Sequence, residues 1–109
     1  MRKAIAVATS KGSSPASSPI GALIVFDNKM IAAERNQCVE LYDATAHAEM
    51  MAIRKAGAVI CNGDLRGGTL YSTLQPCGMC TMATIWCKVE RVVFGAGRED
   101  VHAMYFEAR

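Results

Sequence analysis

The sequence predicts an α/β fold, a three-layer α-β-α sandwich around a mixed central sheet, and two observations support this prediction. Two apolar, β-branched segments, 20–26 and 30–35, flank the turn residues 27–29, a pattern typical of an antiparallel hairpin. Further along the chain, predicted strands at 69–74 and 91–95 alternate with predicted helices, which favours parallel pairing. The sheet is therefore expected to contain both kinds of pairing.

Four helices complete the predicted layers. The first has a helical composition and is followed by a polar loop of glycine, serine and proline over residues 12–19. Thr45 is suited to cap the second helix, and Pro76 is suited to the first turn of the third. The predicted helices cover residues 2–11, 45–57, 76–88 and 99–108.

The composition is that of one small domain spanning residues 1–109. Apolar residues make up 51% of the chain, and the net charge of +2 with a pI of 8.3 is far from the balance of a dedicated nucleic-acid binder. The apolar run after Met1 is too short for a signal peptide, and no run approaches the roughly 18 apolar residues of a membrane span. Five cysteines without a secretory signal fit reduced thiols, so we expect a cytoplasmic protein without membrane contact.

His47, Cys77 and Cys80 have the chemistry of a zinc-binding set. One imidazole and two thiolates suit Zn²⁺, and the two thiolates balance its charge. A structural zinc is normally closed by four protein ligands, whereas three leave a position for water. The metal lowers the pKa of that water toward about 7. The sequence therefore predicts a catalytic zinc site.

Glu49 is predicted as the general acid and base of this site. Because helical side chains tilt toward the helix N-terminus, His47 and Glu49 in one opening turn both project past the helix end. The two thiols lie at the start of another helix, where the positive end of the helix dipole favours thiolates. A carboxylate beside the metal can take a proton from water and pass it on without binding the metal.

Two other interpretations of the Cys-x-x-Cys pair remain open at this point. A thioredoxin-like redox pair has the same spacing, but it leaves Glu49 without a role. A closed structural zinc needs a fourth ligand, which Cys38 or Cys61 could supply. Cys87 lies about 10 Å along the helix from Cys80, too far to bind the same ion. Cys38, Cys61 and Cys87 are more simply explained as small buried apolar residues.

His-Ala-Glu followed by Pro-Cys-x-x-Cys resembles the signature of zinc nucleobase deaminases. The similarity extends from residues 19–25 through Asn36 to residues 91–95, which is most of the chain. On these residues the sequence is identified as similar to the cytidine/deoxycytidylate deaminase superfamily, in the branch of guanine deaminases, cytosine deaminases and bacterial tRNA adenosine deaminases. Gln75 departs from the pattern, since many relatives have Glu before Pro-Cys.

The resemblance implies a cytidine-deaminase-like fold, Zn²⁺ as cofactor and a set of substrate contacts. Asn36, at the end of the second strand, is expected to bond the substrate ring or ribose. The backbone N–H of Ala48 and the carbonyl of Leu74 are expected to bond the amide-like edge of the base. Ile20 and Trp86 match guanine-type positions, although a lone tryptophan on an apolar helix more often lies in a core or a dimer interface.

Relatives usually have another strand and helix after the last predicted helix, and this chain ends at Arg109 without them. A natural minimal form and a truncated chain both remain open. Apolar faces on so small a domain favour self-association, so a homodimer is expected.

The expected reaction is hydrolytic deamination of an amino-substituted nucleobase, nucleoside or analogue of guanine, cytosine or triazine type, with release of ammonia. Trp86, Ile20 and the low net charge favour a free base or nucleoside. The alternative is adenosine or cytosine deamination in tRNA or single-stranded DNA, since residues 91–96 resemble tRNA deaminases. A third possibility is a zinc-stabilised binding module without turnover, but such a module has no need of Glu49.

Overall fold

The structure is a computed structural model that describes residues 1–8 and 20–97. The predicted loop at 12–19 and the predicted helix at 99–108 lie outside these ranges. No helix within them is long and apolar enough to cross a membrane. In chain order the elements are α1 (Arg2–Ala8), β1 (Gly21–Phe26), β2 (Lys29–Arg35), α2 (Ala48–Ile60), β3 (Thr69–Leu74), α3 (Gly78–Cys87) and β4 (Arg91–Ala96).

The predicted hairpin is present between β1 and β2. Its two strands pair antiparallel, with Gly21 opposite Arg35 at one end and Phe26 opposite Lys29 at the other. The two connecting residues, Asp27 and Asn28, have φ values of 48° and 61°. Two-residue hairpin turns favour such positive φ values because they match the twist of the strands, and Asn and Asp tolerate them better than most residues.

The four strands form one mixed sheet in the order β2-β1-β3-β4. β3 pairs antiparallel with β1, with Ala22 opposite Ser72, and parallel with β4, with Leu70 opposite Val92. The parallel pair needs a crossover connection, and α3 supplies it. The prediction of both pairing types in one sheet is confirmed.

The core lies between the sheet and α2. Ile24 and Leu70 are fully buried and form a cluster with Ala52 and Ala56 of α2. Alanines four residues apart line one side of a helix, so this side of α2 can approach the strands closely. α1 contacts β1, β2 and β3, and its Ala4 is also fully buried. The molecule thus has the three layers that the sequence predicts.

Two local predictions at the helix starts were wrong. Thr45 does not cap α2, because the helix begins only after His47, and the backbone N–H and hydroxyl of Thr45 instead donate to Oδ1 of Asp43, at 2.8 and 2.7 Å. Pro76 does not occupy the first turn of α3, because Cys77 is the N-cap and the proline precedes it. α2 also continues past Gly57 to its end at Ile60.

Candidate metal centre and active site

The centre is built at the N-termini of α2 and α3. His47 is the N-cap of α2 and Cys77 is the N-cap of α3, and both have extended backbone, with ψ values of 153° and 178°. Neither side chain caps its own helix, although an N-cap side chain commonly does so. The imidazole and the thiol can therefore project beyond the helix ends. Cys80, the third residue of α3, is fully buried behind them.

The three side chains meet at distances that suit a tetrahedral zinc. Nδ1 of His47 lies 3.5 Å from Sγ of Cys77 and 3.6 Å from Sγ of Cys80. Zinc bonds of about 2.3 Å to sulfur and about 2.0 Å to nitrogen, set at tetrahedral angles, require a nitrogen-to-sulfur separation of roughly 3.5 Å. All three ligand atoms lie within 4.8 Å of one another. The donor set therefore fits zinc in chemistry and in spacing.

This group has three members in the described parts of the chain, and no fourth His, Cys, Asp or Glu ligand joins it there. Cys38 is half-buried in the loop after β2 and Cys61 is exposed at the C-cap of α2. The closed structural site that the sequence left open is therefore disfavoured. The expectation that Cys61 is buried was wrong, because its left-handed C-cap conformation, with φ of 56°, places it at the exposed end of the helix.

Burial disfavours the thiolate form of Cys80, so a cation at this centre would be stabilising. Desolvation raises the pKa of the Cys80 thiol far above its usual range, and the negative charges of Glu49 and Cys77 raise it further. The backbone N–H of Met50, in the first turn of α2, acts in the opposite direction through its hydrogen bond to the Cys80 sulfur. A divalent cation among these groups reverses the balance, because it stabilises thiolates directly.

Glu49 lies beside the ligands but outside their group. It is the second residue of α2, its side chain is buried with 4% exposed, and it hydrogen-bonds with Cys80. Burial raises the pKa of its carboxyl group, while its own backbone N–H and Cys80 lower it through hydrogen bonds. A buried carboxyl group with a raised pKa holds a proton more readily than an exposed one, which suits a group that both accepts and donates protons.

Residues 1–96 match the family described as the cytidine and deoxycytidylate deaminase zinc-binding region. The chain belongs to this family. Zn²⁺ is thus the cofactor of the region that contains the His/Cys/Cys group. The same superfamily was expected from the His-Ala-Glu and Pro-Cys-x-x-Cys motifs, and that prediction is confirmed.

Curated relatives of this deaminase-family chain include tRNA-specific adenosine deaminases. The protein of Buchnera aphidicola is 48% identical over 83 residues, which are 76% of this chain and 55% of the relative. The protein of Aquifex aeolicus is 44% identical over 78 residues, which are 72% of this chain and 52% of the relative. The chain thus spans about half the length of these relatives.

Solved structures of similar fold come from two groups of deaminases. The guanine deaminase of Bacillus subtilis superposes with a TM-score of 0.85 at 35% identity, covering 91% of this chain and 63% of that one. A structure from work on A-to-I editing by tRNA:A34 deaminases superposes with a TM-score of 0.86 at 38% identity, covering 95% of this chain and 79% of that one. Both likenesses support the α/β fold that the sequence predicts.

The structure places Asn36 at the same end of the sheet as the predicted metal ligands. The backbone N–H of Gln37 donates to the carbonyl of Ala46 at 2.9 Å, which ties the residue after Asn36 to the residue before His47. Asn36 is buried, with 7% exposed, and its Oδ1 accepts a hydrogen bond from the backbone N–H of Cys38 at 3.0 Å. The side-chain NH₂ is then the group of Asn36 suited to donate to a base.

The other predicted substrate contacts have different environments. Ala48 is fully buried as the first residue of α2, and Leu74 is the last residue of β3. Ile20 is half-buried against the core, and its carbonyl accepts the backbone N–H of Asn36 at 3.0 Å. Trp86 is 79% exposed near the C-terminal end of α3, away from the helix end that carries the thiols.

Two features of the site were missed by sequence reasoning. Arg35 pairs with Glu40 and also donates to the backbone carbonyl of Asn36 at 3.3 Å, so it holds the loop that follows β2. Ser72 is fully buried and donates its hydroxyl to the carbonyl of Leu74 at 2.7 Å. A five-residue spacing of opposite charges matches no helix or strand period, and a single serine within a strand carries no pattern. Neither feature had a sequence signal.

Proposed function

We propose that this chain is a zinc-dependent aminohydrolase that removes an exocyclic amino group from a nucleobase as ammonia. The observation that carries the proposal is the three-membered group of His47, Cys77 and Cys80 beside the buried carboxyl group of Glu49. A site that only needs zinc for stability has no use for such a carboxyl group. A redox pair does not explain why an imidazole nitrogen lies within 3.6 Å of both sulfurs.

In this proposal His47, Cys77 and Cys80 hold the metal, and Glu49 moves protons. Bound zinc supplies Lewis-acid chemistry that makes water a nucleophile near neutral pH. The Glu49 carboxylate accepts a proton from the attacking water and delivers it to the ring nitrogen next to the amine-bearing carbon. Once the water oxygen has bonded to that carbon, the carboxylate takes the remaining proton of the water and gives it to the amine, whose bond to the carbon breaks as ammonia leaves.

The remaining predicted contacts hold the base. The backbone N–H of Ala48 is a donor and the carbonyl of Leu74 is an acceptor, so together they can bond the amide-like edge of the base, including its amino group. The NH₂ group of Asn36 adds a donor from the end of β2. Ile20, which packs against the core, supplies apolar contact to the base.

For the substrate we propose an adenine base within a tRNA. This choice is supported by 44% to 48% identity to tRNA-specific adenosine deaminases. A free base of the guanine type is the second candidate, and the superposition on the Bacillus subtilis enzyme supports it. The free base was our first expectation from the sequence. The exposure of Trp86 weakens one of the reasons for it.

The experiment is a measurement of ammonia release from a tRNA anticodon stem-loop, free guanine and free cytosine over a series of salt concentrations. Phosphate contacts make binding fall steeply with salt, roughly tenfold or more between 50 and 200 mM for three contacts on a single strand. We expect strong, salt-sensitive activity on the stem-loop. Salt-insensitive activity on guanine alone would favour the second candidate, and no ammonia from any substrate would refute the proposed function.

The same proposal includes a homodimer, a cytoplasmic location and a single domain over residues 1–109. Large apolar side chains are exposed on α3 and β4, which supports self-association. Reduced thiols, which metal binding requires, support a reducing compartment. Light scattering of the purified chain tests the dimer. The exposed apolar side chains are Met82, Ile85, Trp86, Val92 and Phe94.

A further inference from the structure

We infer that Ser72 is a positioning residue, which fixes the carbonyl of Leu74 so that it can accept a hydrogen bond from the amino group of the base. This inference rests on the proposed function, because it takes the Leu74 carbonyl as a substrate contact. Ser72 lies five residues before Cys77, and its hydroxyl bonds the carbonyl of Leu74 and not a predicted metal ligand. Its effect would pass through a single peptide group.

The first step is the hydrogen bond itself. The Ser72 hydroxyl is fully buried and donates to the carbonyl oxygen of Leu74 at 2.7 Å. On the β1 side, the pairing of β3 ends at Ser72, which lies opposite Ala22. The Leu74 carbonyl is therefore beyond the pairing with β1, and the serine hydroxyl supplies a bond that the sheet does not supply there.

The second step is the direction of this bond. Leu70 and Ser72 lie two residues apart in β3, so their side chains point to the same face of the sheet. Leu70 belongs to the core cluster that contains Ala48, the first residue of α2. A carbonyl drawn toward the Ser72 hydroxyl is thus held on the face where α2 begins. Glu49 follows Ala48 on the same helix.

The carbonyl oxygen of Leu74 can accept a second hydrogen bond. A carbonyl oxygen has two lone pairs and can accept two hydrogen bonds. The Ser72 hydroxyl uses one of them, which leaves the other for an N–H of the substrate amine. A carbonyl held by a fixed donor loses less freedom when the substrate binds than one that must first be ordered. Ser72 should therefore favour substrates that carry an amino group.

A purely structural role is the competing explanation, because a buried hydroxyl normally finds some acceptor. The two roles differ in what they affect. A structural hydroxyl changes stability, and any effect on binding is the same for all ligands of the pocket. A positioning hydroxyl changes binding only of ligands that offer an N–H to the Leu74 carbonyl.

The test is Ser72→Ala, with Thr73→Val as the matched control. Thr73 is the next residue of the same strand, points to the opposite face, and uses its hydroxyl oxygen to accept the backbone N–H of Gly21 at 3.2 Å. Two quantities are measured for each variant. One is kcat/KM for the substrate that wild type deaminates, and the other is the inhibition constant of the analogue in which hydrogen replaces the amino group. Zinc content and Tm are recorded in parallel.

We expect Ser72→Ala to lower kcat/KM by roughly three- to tenfold, the range for one hydrogen bond. The inhibition constant of the analogue should stay within about twofold of wild type, and Thr73→Val should leave both quantities within that same range. Unchanged kcat/KM in Ser72→Ala, or an equal loss for substrate and analogue, would overturn the inference. If wild type releases no ammonia from any substrate, the proposed function has failed instead.

Ser72→Cys covers the case in which Ser72→Ala does not fold. It keeps the side-chain volume but replaces the hydroxyl by a weak donor. We expect a smaller loss of kcat/KM in the same direction, again without an effect on the analogue. Wild-type kcat/KM in this variant would contradict the positioning role.

Discussion

Replacement of Glu49 by glutamine should abolish most of the turnover without loss of zinc or of the fold. Glutamine has nearly the same shape, so a site with 4% exposure is left without a cavity. The amide cannot take a proton from water or deliver one to the ring. General acid/base groups supply about 10²- to 10⁴-fold in rate, which is about 3 to 5 kcal/mol of barrier.

This substitution should not destabilise the chain, in contrast to its effect on the rate. Burial raises the pKa of the Glu49 carboxyl group, which means that burial disfavours its charged form. Glutamine removes this cost, so the free energy of unfolding of the metal-free chain should stay unchanged or rise. An active site that is tuned for proton transfer is commonly stabilised when the catalytic group is neutralised.

The assay combines ammonia release and metal analysis of the same preparations with urea unfolding after removal of the metal. Glu90→Gln is the control, since it replaces the same carboxyl group by an amide at an exposed position. Glu49→Gln should retain one zinc per chain, and its kcat should be at least a hundredfold below that of Glu90→Gln. Near wild-type turnover in Glu49→Gln would refute the role in proton transfer. Loss of zinc would show that Glu49 is a ligand.

Three further outcomes follow from the structure. Cys80→Ser should lose zinc and stability, whereas Cys87→Ser, which also alters a buried thiol, should keep one zinc per chain in metal analysis. Asn36→Ala should lower kcat/KM by about ten- to a hundredfold with zinc retained, while Asn62→Ala, which loses an equivalent 3.0 Å bond to the backbone N–H two residues on, should leave the kinetics unchanged. Ile24→Ala should lower the free energy of unfolding by about 2–5 kcal/mol in urea titrations, because Ile24 is fully buried in the core. Equal zinc loss in both cysteine variants, equal kinetic effects in both asparagine variants, or an Ile24→Ala change below about 1 kcal/mol would contradict these respective predictions.

The fold could be predicted from the sequence where local chemistry decides it. Asp27 and Asn28 tolerate positive φ, so the hairpin turn falls where the sequence places it. The alternation of strands and helices after Gly68 correctly indicated the parallel pair of β3 and β4. The order β2-β1-β3-β4 could not be deduced in the same way, because the insertion of β1 between its neighbours depends on contacts far apart in the sequence.

The helix starts show where local rules compete. Thr45 satisfies the rule for an N-cap, but its backbone N–H and hydroxyl both donate to Asp43 in a turn before the helix, and its hydroxyl oxygen accepts from Arg54. The chain then enters α2 two residues later, with His47 at the N-cap. The side chain that would ordinarily cap the helix is thereby a potential ligand. Helix propensities cannot predict that the His47 side chain leaves the helix uncapped, because its position depends on the thiols of α3 that face it.

The bodies of the helices explain why the site can be so compact. Ala48, Ala52 and Ala56 are each fully buried on one side of α2, and larger side chains there would hold the helix away from Ile24 and Leu70 of the sheet. The closeness of this packing fixes the height of the first turn of α2 above the sheet. At that height the backbone N–H of the residue after Glu49 can reach the sulfur of Cys80. The small residues of the core thus help to position the N-terminus of α2, and with it His47 relative to Cys77 and Cys80, the predicted metal ligands.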